Sequence, residues 1–356
     1  MSDRLAALRG CFGDWQVDGI LITSGSNRRW ISGFTGSSGR LLITRDRAVL
    51  ATDSRYWEQA ERQANQFEIY RSRDEKDDFH NFLTLGDVTQ LGIEARHVTL
   101  LEREMLGKQE GFEWVALPLT AEPLRSVKSA EELAAIRAAA RITDETVAQV
   151  PRFARPGETE RAVAWELEKY MREAGADRPA FDIIVASGPN SALPHHRPGD
   201  RVLQAGDIVI VDLGAEFDGY KSDLTRTFYL GTSPEDRFWE IYNTVQAAQQ
   251  AAIGGIRPGV TGKAVDSLAR DLITAAGHGD HFGHGTGHGV GIDIHEDPRF
   301  SKVSEKTIIP DGAVMTVEPG IYLPDYGGVR IEDLLLVTPE GYSYLSAAPQ
   351  TPLIPI

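Results

Sequence analysis

Residues 208–231 read IVIVDLGAEFDGYKSDLTRTFYLG, an apolar run with Asp212 near its end and Asp223 on its return. Asp218-Gly219, between two alternating runs, is the favoured two-residue turn of a β-hairpin. That turn pairs Phe217 with Tyr220 and sets Asp212 opposite Thr225. Asp223 then shares a face with Asp212 on the diagonal, about 7–8 Å away backbone to backbone. Carboxylates converging in an apolar setting repel, and one takes up a proton unless a cation lies between them. A metal ion is the simplest such cation. The plainer alternative on this stretch alone is a pair of hairpin-end acids facing water.

With 356 residues the chain exceeds the size at which one core keeps growing, so two domains are expected. Hydrophobic residues make up 41%, ample for burial. The net charge of −15, with no basic cluster, argues against nucleic acid and anionic membrane surfaces as partners. Cys11 is the one cysteine, which excludes a disulfide framework and a thiolate metal cage and points to a reducing compartment. The start, MSDRLAALRGCFGDW, has neither a long apolar segment nor a small-residue cleavage site, and no stretch reaches the ~18 apolar residues of a membrane span. A soluble, cytoplasmic protein is the expectation.

Over residues 1–125 short apolar runs alternate with helical patterns. DGILIT, GRLLIT, RAVLAT, FEIYRS, LGIEA and EWVALP read as strands, and SRYWEQAERQA and TLLEREMLGKQ as helices, which describes an α/β domain. Ser129 to Glu132 is a capping box opening a long helix with Leu133, Ile136, Ala140 and Val147 on one stripe. A second domain, 126–356, begins there. Within it RPGETERAV at Arg155 returns as RPGVTGKAV at Arg257, and Ala174-Gly175 returns as Ala276-Gly277 at the same offset. Two chance helix entries with Thr as N-cap are one account of this. A duplicated half about a pseudo-two-fold axis, with a site between the halves, is the other.

Three further stretches of this domain offer metal-type side chains. GHGTGHGVGIDIHE holds His284, His288 and His295, and its glycines make a helix improbable and suggest backbone packed close to something. One ligand and two proton handlers is a sensible division of these histidines, although a lone histidine is more often a solvated or core side chain. In AVMTVEPGIY, Glu318 interrupts a strand-like run; strand-end punctuation is the bland reading. In GGVRIEDLLLV, Arg330 and Glu332 lie two apart and so are predicted to share a strand face, where an Arg-Glu surface pair is the alternative. Together these stretches supply four carboxylates and one imidazole. That set suits Mn²⁺ first, with Co²⁺ or Zn²⁺ also admissible. It is too many ligands for one ordinary zinc site, whereas bridging acids hold two ions roughly 3.5–4 Å apart. Such a pair activates a water and clamps a tetrahedral intermediate, which is what amide hydrolysis needs.

VDLG at Asp212, SDLTRT at Asp223, GTGHGVG at His288, VEPG at Glu318 and VRIED at Glu332 resemble, in order and spacing, the pita-bread metallopeptidases that include methionine aminopeptidase, prolidase and aminopeptidase P. The resemblance spans nearly the whole chain. It implies a dinuclear metal site in which Asp212 and Glu332 include the bridging function and Asp223, His288 and Glu318 complete the set. It also implies catalytic roles for His195 in LPHHRPGD, for His284 and for His295, which would stabilise the intermediate and protonate the leaving nitrogen, with Arg330 orienting ligands. His196, beside His195, is not expected to point inward.

NRRWISGFTGSSG and ATDSRYWEQA resemble the N-terminal domain of the proline-specific enzymes and of creatinase. Creatinase lacks the metal ligands, so the resemblance implies an Xaa-Pro peptidase acting on peptides with proline second. It further implies a homodimer, with Arg29, Trp30 and Tyr56 near the edge of a partner's site. Arg299 in HEDPRF resembles a carboxylate grip of short archaeal prolidases. The missing arginine-bearing insertion before Glu318 and the wording of residues 34–60 resemble small bacterial aminopeptidase P-like proteins, so an Xaa-Pro aminopeptidase is the expectation, with Xaa-Pro dipeptidase as the alternative. A metal-free binding module on the same fold is the rival of another class.

Overall fold

The computed structural model describes residues 2–73, 75 and 77–356, and the chain divides into two compact units, Met1–Arg125 and Ser126–Ile356. In the first unit, β1 (Gly19–Ile22), β2 (Arg40–Thr44), β3 (Ala48–Thr52), β4 (Glu68–Arg71), β5 (Gln90–Glu94) and β6 (Glu113–Leu117) form one sheet in the order β4-β3-β2-β1-β5-β6. These are the six runs read as strands. β1 is antiparallel to β2 and parallel to β5, so the sheet is mixed, and Leu21, Leu42, Val49, Leu91 and Ile93 build its core with Phe82. The helix Gly25–Ser32 buries Asn27, Arg28 and Ser32 along with Trp30 and Ile31, so apolar residues alone trace no stripe on it; Asn27 donates to Glu94 Oε1 at 2.7 Å.

The second unit is built twice over. Glu160–Glu173 and Gly262–Ala275 are helices in which Thr159 and Thr261 accept from Ala162 N and Ala264 N, each at 3.2 Å. Both threonines also form an isolated bridge, to Val202 and to Ile308. Each copy covers its own core: Val163, Leu167 and Val211 in one, Val265, Ala269 and Val317 in the other. Ser129 and Glu132 close the expected capping box of the helix Ala130–Val147, which packs with the first copy. The first half contributes β7 (Arg178–Pro179), β8 (Ile184–Ser187), β9 (Ile208–Leu213), β10 (Ala215–Phe217), β11 (Tyr220–Lys221) and β12 (Leu224–Leu230). The second contributes β13 (Gly287–Gly289), β14 (Glu296–Phe300), β15 (Val314–Val317), β16 (Gly320–Leu323), β17 (Gly327–Arg330), β18 (Asp333–Thr338) and β19 (Gly341–Tyr344). β20 (Leu353–Ile354) returns to pair with β12 in the order β20-β12-β9-β8, and the second half's sheet runs β14-β13-β15-β18-β19.

The 208–231 hairpin has the register read from its turn: Phe217 pairs with Tyr220 and Asp212 with Thr225. Asp218 and Gly219 have φ of 46° and 71°, the left-handed pair that matches strand twist. Gly214 marks where the hairpin passes from the β9–β12 sheet into β10–β11. A Cβ there would lie 1.9 Å from the Ser222 carbonyl oxygen, so only glycine lets the two arms approach. The single strand expected through Arg330 and Glu332 is not formed. β17 ends at Arg330 paired with β16, and β18 begins at Asp333 paired with β15, so the two side chains are brought to one place by a change of sheet rather than by strand alternation.

Candidate active site

Several strands of both halves meet at one cavity of about 670 Å³ whose walls include Asp212, Asp223, His288, Glu318 and Glu332. Asp212 lies on β9 and Asp223 immediately precedes β12; His288 is the middle residue of β13; Glu318 follows β15; Glu332 bridges β17 and β18. The glycines around His288 have the reason their pattern suggested, since a Cβ on Gly287 would stand 2.0 Å from the Thr316 carbonyl oxygen of β15. Glu318 N–H donates to Thr286 O at 2.8 Å and Glu332 N–H to Thr225 O at 3.1 Å, which ties both acids to neighbouring strands of the same cavity.

The donor set fits metal. Asp223, His288 and Glu332 each offer a ligand atom, all within 4.8 Å of one another. Asp212 Oδ1 and Glu332 Oε1 are buried without a hydrogen-bond partner among the described residues, a state that buried carboxylate oxygens rarely tolerate. His288 Nδ1 lies 3.0 Å from Gly289 O; a carbonyl only accepts, so the proton is on Nδ1 and the Nε2 lone pair is free. That Nε2 sits 3.5 Å from Glu318 Oε1 and 3.6 Å from Asp223 Oδ2.

Arg330 organises the acids from behind. Its Nη2 donates to Asp212 Oδ2 at 2.7 Å, its Nη1 to Tyr322 Oη at 2.9 Å and its Nε to Thr225 Oγ1 at 3.1 Å. Thr225 in turn donates to Glu332 Oε2 at 2.8 Å. Because His284 Nδ1 donates to Gly285 O at 2.8 Å, the Tyr322 hydroxyl donates to His284 Nε2, also at 2.8 Å. Sequence reasoning missed Thr225 and Tyr322. Thr225 was legible as the cross-strand neighbour of Asp212, whereas Tyr322 reaches Arg330 only because Gly320 pairs with Arg330 across β16–β17.

His195, His284, His295 and Arg299 also line the cavity. The His295 ring packs edge-on against His288 with centroids 4.4 Å apart. His196 reaches the same wall, but its Nε2 lies 2.7 Å from the buried Glu160, so its imidazole is committed to holding the helix Glu160–Glu173. Arg299 is half-exposed and 3.7 Å from Asp297. Among the described residues the walls of this cavity all come from the second unit. Of the first-unit candidates, Trp30 is 5% exposed with the Arg4 guanidinium 5.0 Å from its ring centroid, which makes it an internal side chain of that unit. Arg29 is half-buried, and the Tyr56 hydroxyl pairs with Ser37 Oγ at 2.7 Å.

Residues 134–339 match the model of metallopeptidase family M24, and residues 4–127 match the creatinase/prolidase N-terminal domain. The chain belongs to metallopeptidase family M24. Its second unit is the pita-bread fold of that family, and the enzyme is a hydrolase. The chain is similar to an uncharacterized peptidase of Bacillus subtilis, 43% identical with 99% of each chain covered. The structure is similar to an Xaa-Pro dipeptidase from Bacillus anthracis, at 40% identity, a TM-score of 0.95 and 99% of each chain covered. It is also similar to the X-Pro aminopeptidase from Thermotoga maritima, at 33% identity and a TM-score of 0.89, covering 99% of this chain and 100% of that one. No helix among the described residues is long and apolar enough to cross a membrane.

In this M24 site the crowding of acids has a measurable consequence. Burial, followed by repulsion from Glu332, Asp212 and Glu318, holds the Asp223 carboxyl well above its usual range. Glu332 is raised in the same way by burial, Glu318 and Asp212. Burial carries Glu318 from the usual 4.5 to about 8. The metal-free native state therefore keeps protons that the unfolded chain releases, so its stability falls as pH rises from about 4.5 to about 8. His284 and His288 act oppositely: burial lowers them from 6.5 to about 4 and about 3, so they remove stability as pH falls below 6.5. Between pH 6.5 and 8 only the acid effect operates. The melting temperature of chelated protein is expected to decline over that interval, and saturating Mn²⁺ to abolish the decline.

Proposed function

We propose that this chain is an Xaa-Pro dipeptidase that holds two divalent ions, Mn²⁺ first with Co²⁺ or Zn²⁺ as alternatives, through Asp212, Asp223, His288, Glu318 and Glu332. The observation that carries the reading is the pair of orphaned oxygens, Asp212 Oδ1 and Glu332 Oε1, inside a buried cluster that also presents Asp223 and His288. Bound there, such ions supply an activated water and polarise the scissile carbonyl. The chain's own residues do the rest. Arg330 fixes Asp212 directly and Glu332 through Thr225. His284, held as a neutral acceptor by the Tyr322 hydroxyl, stands on the cavity wall with His195 and His295. The imide nitrogen before proline has no N–H and must gain a proton as it leaves. Partial burial, and after it Arg299 and His195, lowers the pKa of His295, and its place on the cavity wall suits it to take up a proton during attack and hand it on. Phe181 and Ile294 add apolar surface to the same cavity, suited to a pyrrolidine ring.

For the subclass, Arg299 on the cavity wall and the greater likeness to the B. anthracis dipeptidase support dipeptidase over the aminopeptidase that the N-terminal wording suggested. The likeness to the T. maritima enzyme supports the aminopeptidase as a second reading. Arg299→Met separates them. A charge-assisted hydrogen bond contributes about 1.5–3 kcal/mol, so KM for an Xaa-Pro dipeptide is expected to rise roughly 10- to 100-fold with metal content unchanged. Equal turnover of a dipeptide and an Xaa-Pro-Xaa tripeptide, with Arg299→Met neutral toward both, would assign the aminopeptidase instead. Absence of bound metal after reconstitution would leave a binding module.

A further inference from the structure

The loop Gly291 to His295 joins β13 to β14 and delivers His295 to the cavity. Side chains from two distant parts of the chain hold it. Lys221, on β11 just beyond the Asp218-Gly219 turn, donates its Nζ to Ile292 O at 2.9 Å, and its backbone N–H donates to Gly291 O at 2.9 Å. Lys128, just before the helix Ala130–Val147, donates its Nζ to Glu296 Oε2 at 2.9 Å, and Glu296 Oε1 accepts from Asp293 N at 3.1 Å. The Lys128 backbone N–H is itself bonded to Gly312 O at 3.0 Å, ahead of the strand Val314–Val317 that leads to Glu318.

Stability alone gives little reason for these charges. The Lys128 and Glu296 side chains are 2% and 6% exposed, and a buried ion pair of this kind is seldom worth more than a well-packed apolar pair. What it does provide is direction. The Glu296 carboxylate is seated against bare backbone, since a Cβ on Gly291 would come within 2.5 Å of Glu296 Oε2. His295, next to Glu296 in sequence, therefore inherits a fixed position against the His288 ring.

We propose that Lys128 and Lys221 are positioning residues that act through His295, coupling its loop to the hairpin of Asp212 and Asp223 and to the strand before Glu318. This rests on the reading of His295 as a working histidine of an Xaa-Pro peptidase. Misplacement of a reacting group by about 1 Å lowers rates on the order of 100-fold. In the full-length enzyme with Mn²⁺, Lys128→Met and Lys221→Met are expected to lower kcat on an Xaa-Pro dipeptide roughly 10- to 100-fold, with KM and bound metal nearly unchanged. In a His295→Ala background the same substitutions are expected to have no further effect. Amide hydrogen exchange over residues 291–296 is expected to speed up in both variants of the metal-free protein. Losses that multiply with His295→Ala, or unchanged exchange across the loop, would overturn the proposal. Inactivity of the parent enzyme on such dipeptides would instead overturn the functional reading, and the exchange measurement still decides the clamp. If Lys128→Met does not fold, Lys221→Met, whose parent side chain is 14% exposed, provides the same test.

Discussion

Glu332→Gln is expected to lower kcat/KM by on the order of 10³-fold or more, about 4 kcal/mol of transition-state stabilisation, and at the same time to make the metal-free protein more stable. The two effects come from one carboxylate. Glu332 Oε2 accepts from Thr225, while Oε1 is buried without a partner among the described residues. A glutamine keeps the shape and the acceptor for Thr225. It also removes a carboxyl that burial, Glu318 and Asp212 raise well above its usual range, so the metal-free fold no longer has to keep a proton that the unfolded chain releases. Removing that proton uptake is expected to add on the order of 1 kcal/mol to the chelated protein, the scale of many functional-site trade-offs. Metal analysis, kinetics and a melting curve in chelator check all three consequences. A variant that retains two bound ions and full turnover would remove Glu332 from the ligand set.

Arg330→Met is expected to damage both properties. Arg330 is the one cation whose hydrogen bonds join Asp212, Tyr322 and Thr225, and it is 3% exposed. Losing one partner of a buried pair costs about 3–5 kcal/mol because the other charge is left unpaired. Asp212 would face Glu318 and Glu332 with no positive group behind it, so metal-free protein is expected to unfold at markedly lower temperature. Activity is expected to fall on the order of 10²-fold or more even with metal restored, since Asp212, Glu332 and His284 all lose their orientation. Arg330→Lys is expected to rescue little, because a single ammonium does not reproduce a fork that addresses three oxygens. Melting temperature and kcat measured together distinguish this from Glu332→Gln, where the two move in opposite directions.

Much of this arrangement was legible in the residues. The Asp218-Gly219 turn has one favoured geometry, so the hairpin register and the facing of Asp212 with Thr225 followed directly. The glycines flanking His288 announced close backbone contact, and the RPG-x-T repeat announced two like helices. What escaped were features set by tertiary contacts. The helix Gly25–Ser32 buries Asn27, Arg28 and Ser32 beside Trp30 and Ile31, so apolar spacing alone does not mark it. Arg330 and Glu332 looked like neighbours on one strand, yet a change of sheet at Ile331 intervenes. Tyr322 has no local signature because its partners, Arg330 and His284, come from other segments. Trp30 is expected by resemblance near the edge of a partner's site, and within its own unit it is buried with Arg4 over its ring, a contact that no local spacing announces.

The duplicated build of the second unit bears on how the protein comes apart. Asp212 and Asp223 stand on the first copy, whereas His288, Glu318 and Glu332 stand on the second, and each copy has its own main apolar cluster, with a smaller one of Ile136, Ala140, Val290, Val314 and Leu334 spanning both. Neither half alone contains a complete set of donors. Ions captured between them would act as rivets across the seam, so chelation should loosen the seam first and leave the two interiors intact, a sequence of events that proteolysis at the exposed stretch around residues 232–235 can follow.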